Sequence, residues 1–274
     1  MYIKNTFKNG NIFDIEKIHT HKFHPKEFKA EKNKTSLAQE KVNSRNAAIQ
    51  FRRIVHENFG FGSFHVICKY DRSHRTEDLN VARHDIQNYL RNLRGLFKRK
   101  GVELKYVYIS EYGKRGNNIH HHVILSAEGI PTHVIASYWH YGSITFVPFD
   151  NTGDYRVLTD YLIKQADSLY QDEKGLWRKR WNASRNLIIP KAKRQIVKAD
   201  SWREDPVIPK GFMLLPDSLR VGVTEVTGYP YQYYSIIRIP GVKIKPPKRT
   251  YRLRKNKKGV EVIGSSGRKN HSES

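Results

Sequence analysis

The chain of 274 residues holds one cysteine, Cys68, and only 26 acidic side chains against 50 lysines and arginines. A lone cysteine excludes an intrachain disulfide framework and any cysteine-based zinc finger or ribbon, and it fits a reducing, cytoplasmic setting. Long apolar runs are missing too. No window approaches the roughly 20 apolar residues that a membrane span needs, and the opening MYIKNTFKNG carries no apolar stretch of a signal peptide. A soluble protein with no membrane partner is therefore expected. A Gly-x-x-x-x-Gly-Lys-Ser/Thr phosphate loop is also absent, since the segment GSSGRK at 264–269 does not satisfy it. The sequence thus carries no helicase motor of its own.

What is present in excess is positive charge. The formal net charge is +24 and the sequence pI is about 10.0. A surplus of this size repels itself in the folded state, so it points to a polyanionic partner, with nucleic acid ahead of an anionic membrane. Hydrophobic residues at 38% and aromatics at 12% suffice for a core, which excludes a wholly disordered basic protein.

Along the chain, residues 1–33 are polar without a sustained period and read as a flexible basic arm. Residues 34–190 carry the regular patterns of one domain, residues 191–242 read as an accessory segment packed on or near it, and residues 243–274 as a disordered basic tail. Within the domain, Ser36 with Gln39 forms a capping-box signature for a helix over 36–58. Its Lys41, Arg45, Arg52 and Arg53 form either a DNA-facing surface or an ordinary solvated one. Residues 63–70 alternate as a strand, with Phe64, Val66, Cys68 and Tyr70 on one side and His65, Ile67 and Lys69 on the other. Thr76 offers the cap of the most regular amphipathic helix, in which Leu79, Ala82, Ile86, Tyr89, Leu93 and Leu96 step by three and four to a stop at Gly101. Its outer face carries Arg83, Arg91, Arg94 and Lys98. Strands over 103–112 and 119–126 flank the loop 113–118, which contains Lys114 and Arg115. A short helix over 132–140, a strand over 143–149, a helix over 155–170 and a late strand within 231–239 complete the pattern. This order predicts an α+β fold on a central antiparallel sheet flanked by helices.

The candidate chemistry begins at 119–125, IHHHVIL. On a strand, His120 and His122 project from one face, while His121 joins Val123 and Leu125 on the other. Two imidazoles one pleat apart can converge on a metal ion. Glu111, at the end of the preceding strand, is the candidate third ligand, although the sequence does not determine the strand register that would bring it there. Such a set with open positions accepts Mn²⁺ readily, and Mg²⁺ when phosphate and water add oxygens. On the following helix Tyr161 and Lys164 lie three positions apart on one face, so a phenol and an ammonium can address one phosphate. Tyrosine attack on phosphorus conserves the energy of the cut bond in a phosphotyrosine. The competing reading is that Tyr161 is an ordinary helix aromatic and Lys164 a partner for Asp160 or Asp167.

Taken together, strand, basic helix, Ile109-Ser110-Glu111-Tyr112-Gly113, loop, His-x-His strand and Tyr-x-x-Lys helix resemble the HUH endonucleases, in particular the rolling-circle replication initiators of small phages, plasmids and integrated mobile elements. The resemblance spans about 64–165, with a weaker echo at 181–190. It implies a palm-like antiparallel sheet, a divalent metal (Mn²⁺ or Mg²⁺) on His120, His122 and Glu111, and Tyr161 as nucleophile accompanied by Lys164. His121 stands where the motif usually has a bulky hydrophobe, which leaves open a frame in which it takes part. Gln165 stands where some relatives place a second tyrosine, so a homodimer is expected at some stage. Implied partners are single-stranded and origin DNA and a recruited helicase, with Arg83, Arg91, Arg94, Lys98, Lys114, Arg115, Arg178, Lys179 and Arg180 as DNA contacts. Mobilisation or transposition by the same chemistry and a non-catalytic basic nucleic-acid-binding protein are the alternatives.

Overall fold

A computed structural model describes residues 1–19, 37–113, 119–127, 129–170, 179–223, 229–242, 251–255 and 261–265, with side chains for all of these but 37–41, 167–170, 251–255 and 261–265. The described residues form an α+β structure of antiparallel sheets and helices, consistent with a palm-like fold. The central sheet has five strands: β3 (Ser63–Lys69), β4 (Tyr106–Tyr112), β5 (Ile119–Ser126), β6 (Ile144–Pro148) and β7 (Asn182–Ala183), in the spatial order β6-β3-β5-β4-β7. Every pairing in it is antiparallel.

Helices cover both faces of this sheet. On one face α2 (Leu79–Arg99) and α3 (Thr132–Ala136) bury Leu79, Ala82, Ile86, Leu93 and Ile135 against Val66, Cys68, Val123 and Leu125. On the other, α1 (Leu37–Asn58) and α4 (Arg156–Tyr170) bury Phe51, Val55, Leu162 and Ala166 against Val107, Ile109 and Ile124. The side chains of β3, β4 and β5 thus divide by strict alternation between the two layers. The α2 stripe is as its periodicity predicts, but its cap is not Thr76. Asp78 accepts from the Asn80 amide at 2.7 Å, and Thr76 accepts from the Asp78 amide one step earlier. At the other end Gly101 takes φ +70°, the left-handed conformation that ends a helix cheaply only at glycine. The expected capping box at Ser36 and Gln39 lies outside the residues described with side chains.

A second sheet corrects the reading of the N-terminus. Residues 2–19, expected within a flexible arm, form the hairpin β1 (Tyr2–Asn9) and β2 (Ile12–His19), closed by the two-residue turn Gly10-Asn11. They join β8 (Lys193–Val197), β9 (Phe212–Leu214), β10 (Arg220–Val223) and β11 (Pro230–Arg238), with β1 pairing β8 and β2 pairing β11. In the expected tail, β12 (Tyr251–Lys255) pairs β13 (Glu261–Ser265). The rest of the expected arm, 20–33, lies outside the described residues.

The N-terminal strands escape period-two reading because polar residues are buried on them. Asn5, Asn9, Asp14 and Lys17 are all buried. Their partners come from α1, which lies between the two sheets. Arg53 Nε donates to Asp14 Oδ2 at 2.8 Å, its Nη2 to Glu16 Oε1 at 2.6 Å, and its guanidinium sits 3.4 Å from the centre of the Phe7 ring. Asp14 also accepts from Asn9 and Ser235. Gly10 fits beneath α1, where an added Cβ would stand 2.5 Å from the His56 carbonyl oxygen. Neither reading of a basic α1 surface therefore holds at Arg52 and Arg53. Both are buried in ion pairs, because they face a carboxylate-bearing layer rather than solvent.

Removing Arg53 leaves the Asp14 carboxylate buried without its cation, a loss that typically costs about 3 kcal/mol or more. Arg53→Met is expected to lower unfolding stability by about that amount in urea denaturation, with the loss reduced when Asp14→Asn accompanies it.

Candidate metal centre and nucleic-acid face

The register of β4 on β5 pairs Glu111 with His120 and Ile109 with His122. Glu111, His120 and His122 therefore share the face that α1 and α4 cover, and their donor atoms all lie within 4.8 Å of one another. Glu111 Oε1 accepts from His120 Nε2 at 2.5 Å and from His122 Nε2 at 2.9 Å. Burial alone would raise the Glu111 pKa, but the hydrogen bonds from His120 and His122 outweigh it and hold the carboxyl at about 2. Its second oxygen, Oε2, is buried and has no hydrogen-bond partner. An ionised, buried oxygen without a donor beside two imidazoles is what a missing cation leaves behind, so the donor set fits a divalent metal.

His65 is the site residue that motif reading missed. Its Nε2 lies 2.9 Å from His122 Nδ1, and the two rings stack with centroids 5.1 Å apart. In the arrangement described, His122 donates through Nε2 to Glu111, so Nδ1 accepts from His65. With His122 Nε2 given to a metal, the proton must sit on Nδ1, and His65 Nε2 then accepts it. An imidazole partner can serve both tautomers, which a carboxylate cannot. Burial, followed by the His122 charge, lowers the His65 pKa to about 4, with Glu111 opposing, so the ring stays neutral near pH 7. Strand alternation already placed His65 opposite Phe64 and Val66. What was lacking was the pairing of β3 with β5, which sets Ile67 against His122 and His65 one pleat away.

His121 faces the other way and is fully buried. Ser110 Oγ lies 2.7 Å from its Nδ1 and the Tyr70 hydroxyl 3.1 Å from its Nε2, while that hydroxyl also reaches Asp85 at 3.1 Å. The donors permit one chain: Ser110 to His121, His121 to Tyr70, Tyr70 to Asp85. Burial first, then the charges of His120 and His122, lower the His121 pKa to about 3. The frame in which His121 joins the cluster is thereby excluded by geometry, and its polar atoms are satisfied where a hydrophobe would sit.

Tyr161 is brought to the cluster by α4. Its ring meets that of His122 edge-on with centroids 5.9 Å apart, and it remains 45% exposed. Burial, and then the Glu111 charge, raise its pKa. Lys164 lies exposed one turn further on. Asp160, one of the two acids that helical spacing offers it, accepts instead from Arg52 Nη2 at 2.5 Å. The Asp167 side chain is outside the described residues.

Of the expected DNA contacts, Arg83, Arg91, Arg94 and Lys98 are exposed on α2. At 3.6 residues per turn they fall within a stripe of about 80°. Tyr108 on β4 shows where the stripe lies: burial pushes its phenol up to about 12, opposed by Arg83 and by a hydrogen bond with Gln87. Lys179 and Arg180 precede β7, whereas Lys114, Arg115 and Arg178 lie outside the described residues. Of the tryptophans, Trp181 packs on Phe51 in the core and Trp202 against Tyr2 and His19. No described helix is long and apolar enough to cross a membrane.

Residues 68–166 match the family model of the replication-associated proteins of the ORF2 type. That span takes in most of β3, all of α2, the Glu111, His120 and His122 cluster, and Tyr161 with Lys164. The His-x-His cluster with its glutamate is compatible with a replication protein of the HUH kind, and the match suggests a replication-associated role that brings the chain to DNA. No curated protein and no solved structure matches the chain.

Calorimetric titration is expected to show one Mn²⁺ bound per chain and its loss in Glu111→Ala. Replacing His65 with Phe removes the partner of His122 while keeping the ring volume. The expected cost is about 10–100-fold in Mn²⁺ affinity with an unchanged circular dichroism spectrum.

Proposed function

We propose, for a chain whose residues 68–166 match the replication-associated family, that it initiates rolling-circle replication by nicking one DNA strand at a specific site and holding the cut end on Tyr161. The observation that carries this reading is the placement of an exposed phenol beside the Glu111, His120 and His122 cluster, at 5.9 Å between the Tyr161 and His122 rings. A metal hydrolase that used water would leave that tyrosine without a role.

In the proposed reaction the Tyr161 oxygen attacks the scissile phosphorus and releases its proton to solvent. The bond from phosphorus to the 3′ oxygen breaks, and that oxygen takes up a proton to become a 3′ hydroxyl that primes synthesis. The products are a 5′-phosphotyrosine and a free 3′ end, and attack by another 3′ hydroxyl reverses the step to rejoin DNA. Glu111, His120 and His122 would hold a divalent metal, Mn²⁺ or Mg²⁺, whose charge offsets that of the phosphate oxygens and of Glu111, which now raises the Tyr161 pKa. Lys164, on the same face of α4, would place its ammonium on the phosphate. Arg52 holds Asp160, the residue before Tyr161, and so fixes the turn of α4 that presents the nucleophile.

A single tyrosine on this helix face calls for a second protomer, or another tyrosine, to complete a cycle of cutting and rejoining. Strand separation falls to a recruited helicase, because the sequence has no phosphate loop. The same chemistry would serve mobilisation or transposition, and the replication family match favours the initiator role.

A supercoiled plasmid carrying the candidate origin is expected to relax with Mn²⁺ and to stay supercoiled with EDTA. Tyr161→Phe should abolish relaxation while retaining DNA binding, and Lys164→Ala should slow cleavage about 100-fold, the usual loss for one charge-stabilising donor. Binding without metal-dependent relaxation by the wild type would establish the non-catalytic alternative instead.

A further inference from the structure

A groove of about 840 Å³ opens at the far end of β4 from the metal cluster, between the last turns of α2, the 101–105 connection and the segment around β7. Arg94 and Lys98 stand on its α2 wall and Arg185 on its β7 wall, against one acid, Glu103. Lys98, Arg185 and Asn186 are exposed. Tyr106 forms part of the lining, but it is buried, and its hydroxyl accepts from Arg94 Nη2 at 3.1 Å. Tyr106 and Glu111 are five residues apart on one strand, about 17 Å, and they face opposite layers of the sheet. The groove is therefore separate from the cluster that would cut DNA.

We infer that this groove binds a short stretch of single-stranded DNA through its phosphates, as a second contact apart from the cleavage site. The inference takes only the identity of the polymer from the function proposed above; the groove itself is argued from its own geometry. Three cations against one carboxylate select a polyanion. They lie on two facing walls, so a strand running along the groove meets positive charge on both sides, whereas a duplex is too wide to enter and would touch only the rims. A recess of this volume is on the scale of a drug-sized ligand, which suits one or two nucleotides. With the Tyr106 ring buried, no exposed aromatic in the groove offers a base a stacking surface, so the contact reads backbone charge and not sequence. The groove is continuous with the exposed stripe of Arg83, Arg91, Arg94 and Lys98. Spanning 15 residues of helix, about 22 Å, that stripe extends the track along α2.

The test compares two doubly charge-reversed proteins by anisotropy of a labelled oligo-dT across a salt series. Lys98→Glu with Arg185→Glu alters the groove. Lys210→Glu with Arg220→Glu makes the same change in net charge at exposed positions elsewhere in the chain. The groove pair is expected to bind at least about 10-fold more weakly than the control pair. Its slope of log affinity against log salt should be shallower by about 1.4, two phosphate contacts at about 0.7 each for a single strand. Lys98→Gln with Arg185→Gln, which introduces no negative charge, should give an intermediate loss at an unchanged melting temperature. Equal affinity and slope in the groove and control pairs would overturn the inference. So would a loss confined to duplex DNA. Plasmid relaxation by the wild type, measured in parallel, reports separately on the catalytic reading: a groove effect without relaxation sinks that reading alone, and relaxation without a groove effect sinks this one.

Discussion

The register of β4 on β5 is the constraint from which the rest of the site follows. Side chains alternate along a strand, so a slip of one residue between Glu111 and His120 would send the carboxylate to the α2 layer and leave both imidazoles facing α4 without it. In the register observed, the face toward α1 and α4 receives Glu111, His120, His122 and His65, and the face toward α2 receives His121, Ser110 and Tyr70. Each layer has the partners that its polar atoms need. The buried His121 chain also resists slippage, because a shifted β5 would strand Ser110, Tyr70 and Asp85 without their shared histidine.

Helix α1 transmits this arrangement outward. Its apolar side packs on the central sheet through Phe51, Ile54 and Val55, and its charged side meets the second sheet through Arg53. Neighbouring Arg52 reaches α4 at Asp160, next to the candidate nucleophile. Two consecutive arginines thus tie the N-terminal hairpin and the tyrosine helix to one rod. Part of the large basic surplus is consequently internal and structural, which leaves the stripe on α2 and the groove beside β7 as the described surfaces where positive charge faces solvent in an ordered array.

Elements with a clean period were legible in the sequence. The α2 stripe, the strand at 63–69 and the alternation of His120 and His122 on β5 needed only spacing, and the Tyr161 and Lys164 face of α4 needed only the helical repeat. The hairpin of β1 and β2 was not legible, since its buried positions include Asn5, Asn9 and Asp14, whose burial is compensated by an arginine some 40 residues away. Strand β7, two residues long, carries no periodic signal, and with it the groove that it helps to form went unseen. His65 was placed on the right face, but its meeting with His122 depends on a pairing between strands separated by 57 positions. Local pattern reports which face a side chain takes; which partners meet there is a property of the whole sheet.

The account rests on chemistry at Tyr161, with the surrounding charge serving to bring DNA to it. The most direct measurement is the mass of the proteolytic peptide containing Tyr161 after reaction of the intact protein with origin single strand and Mn²⁺. The predicted result is that this peptide gains the mass of the 5′-phosphorylated product strand, and that the gain disappears on chelation of the metal. Cleavage of the strand with Tyr161 unmodified, or with the adduct on another residue, would contradict it.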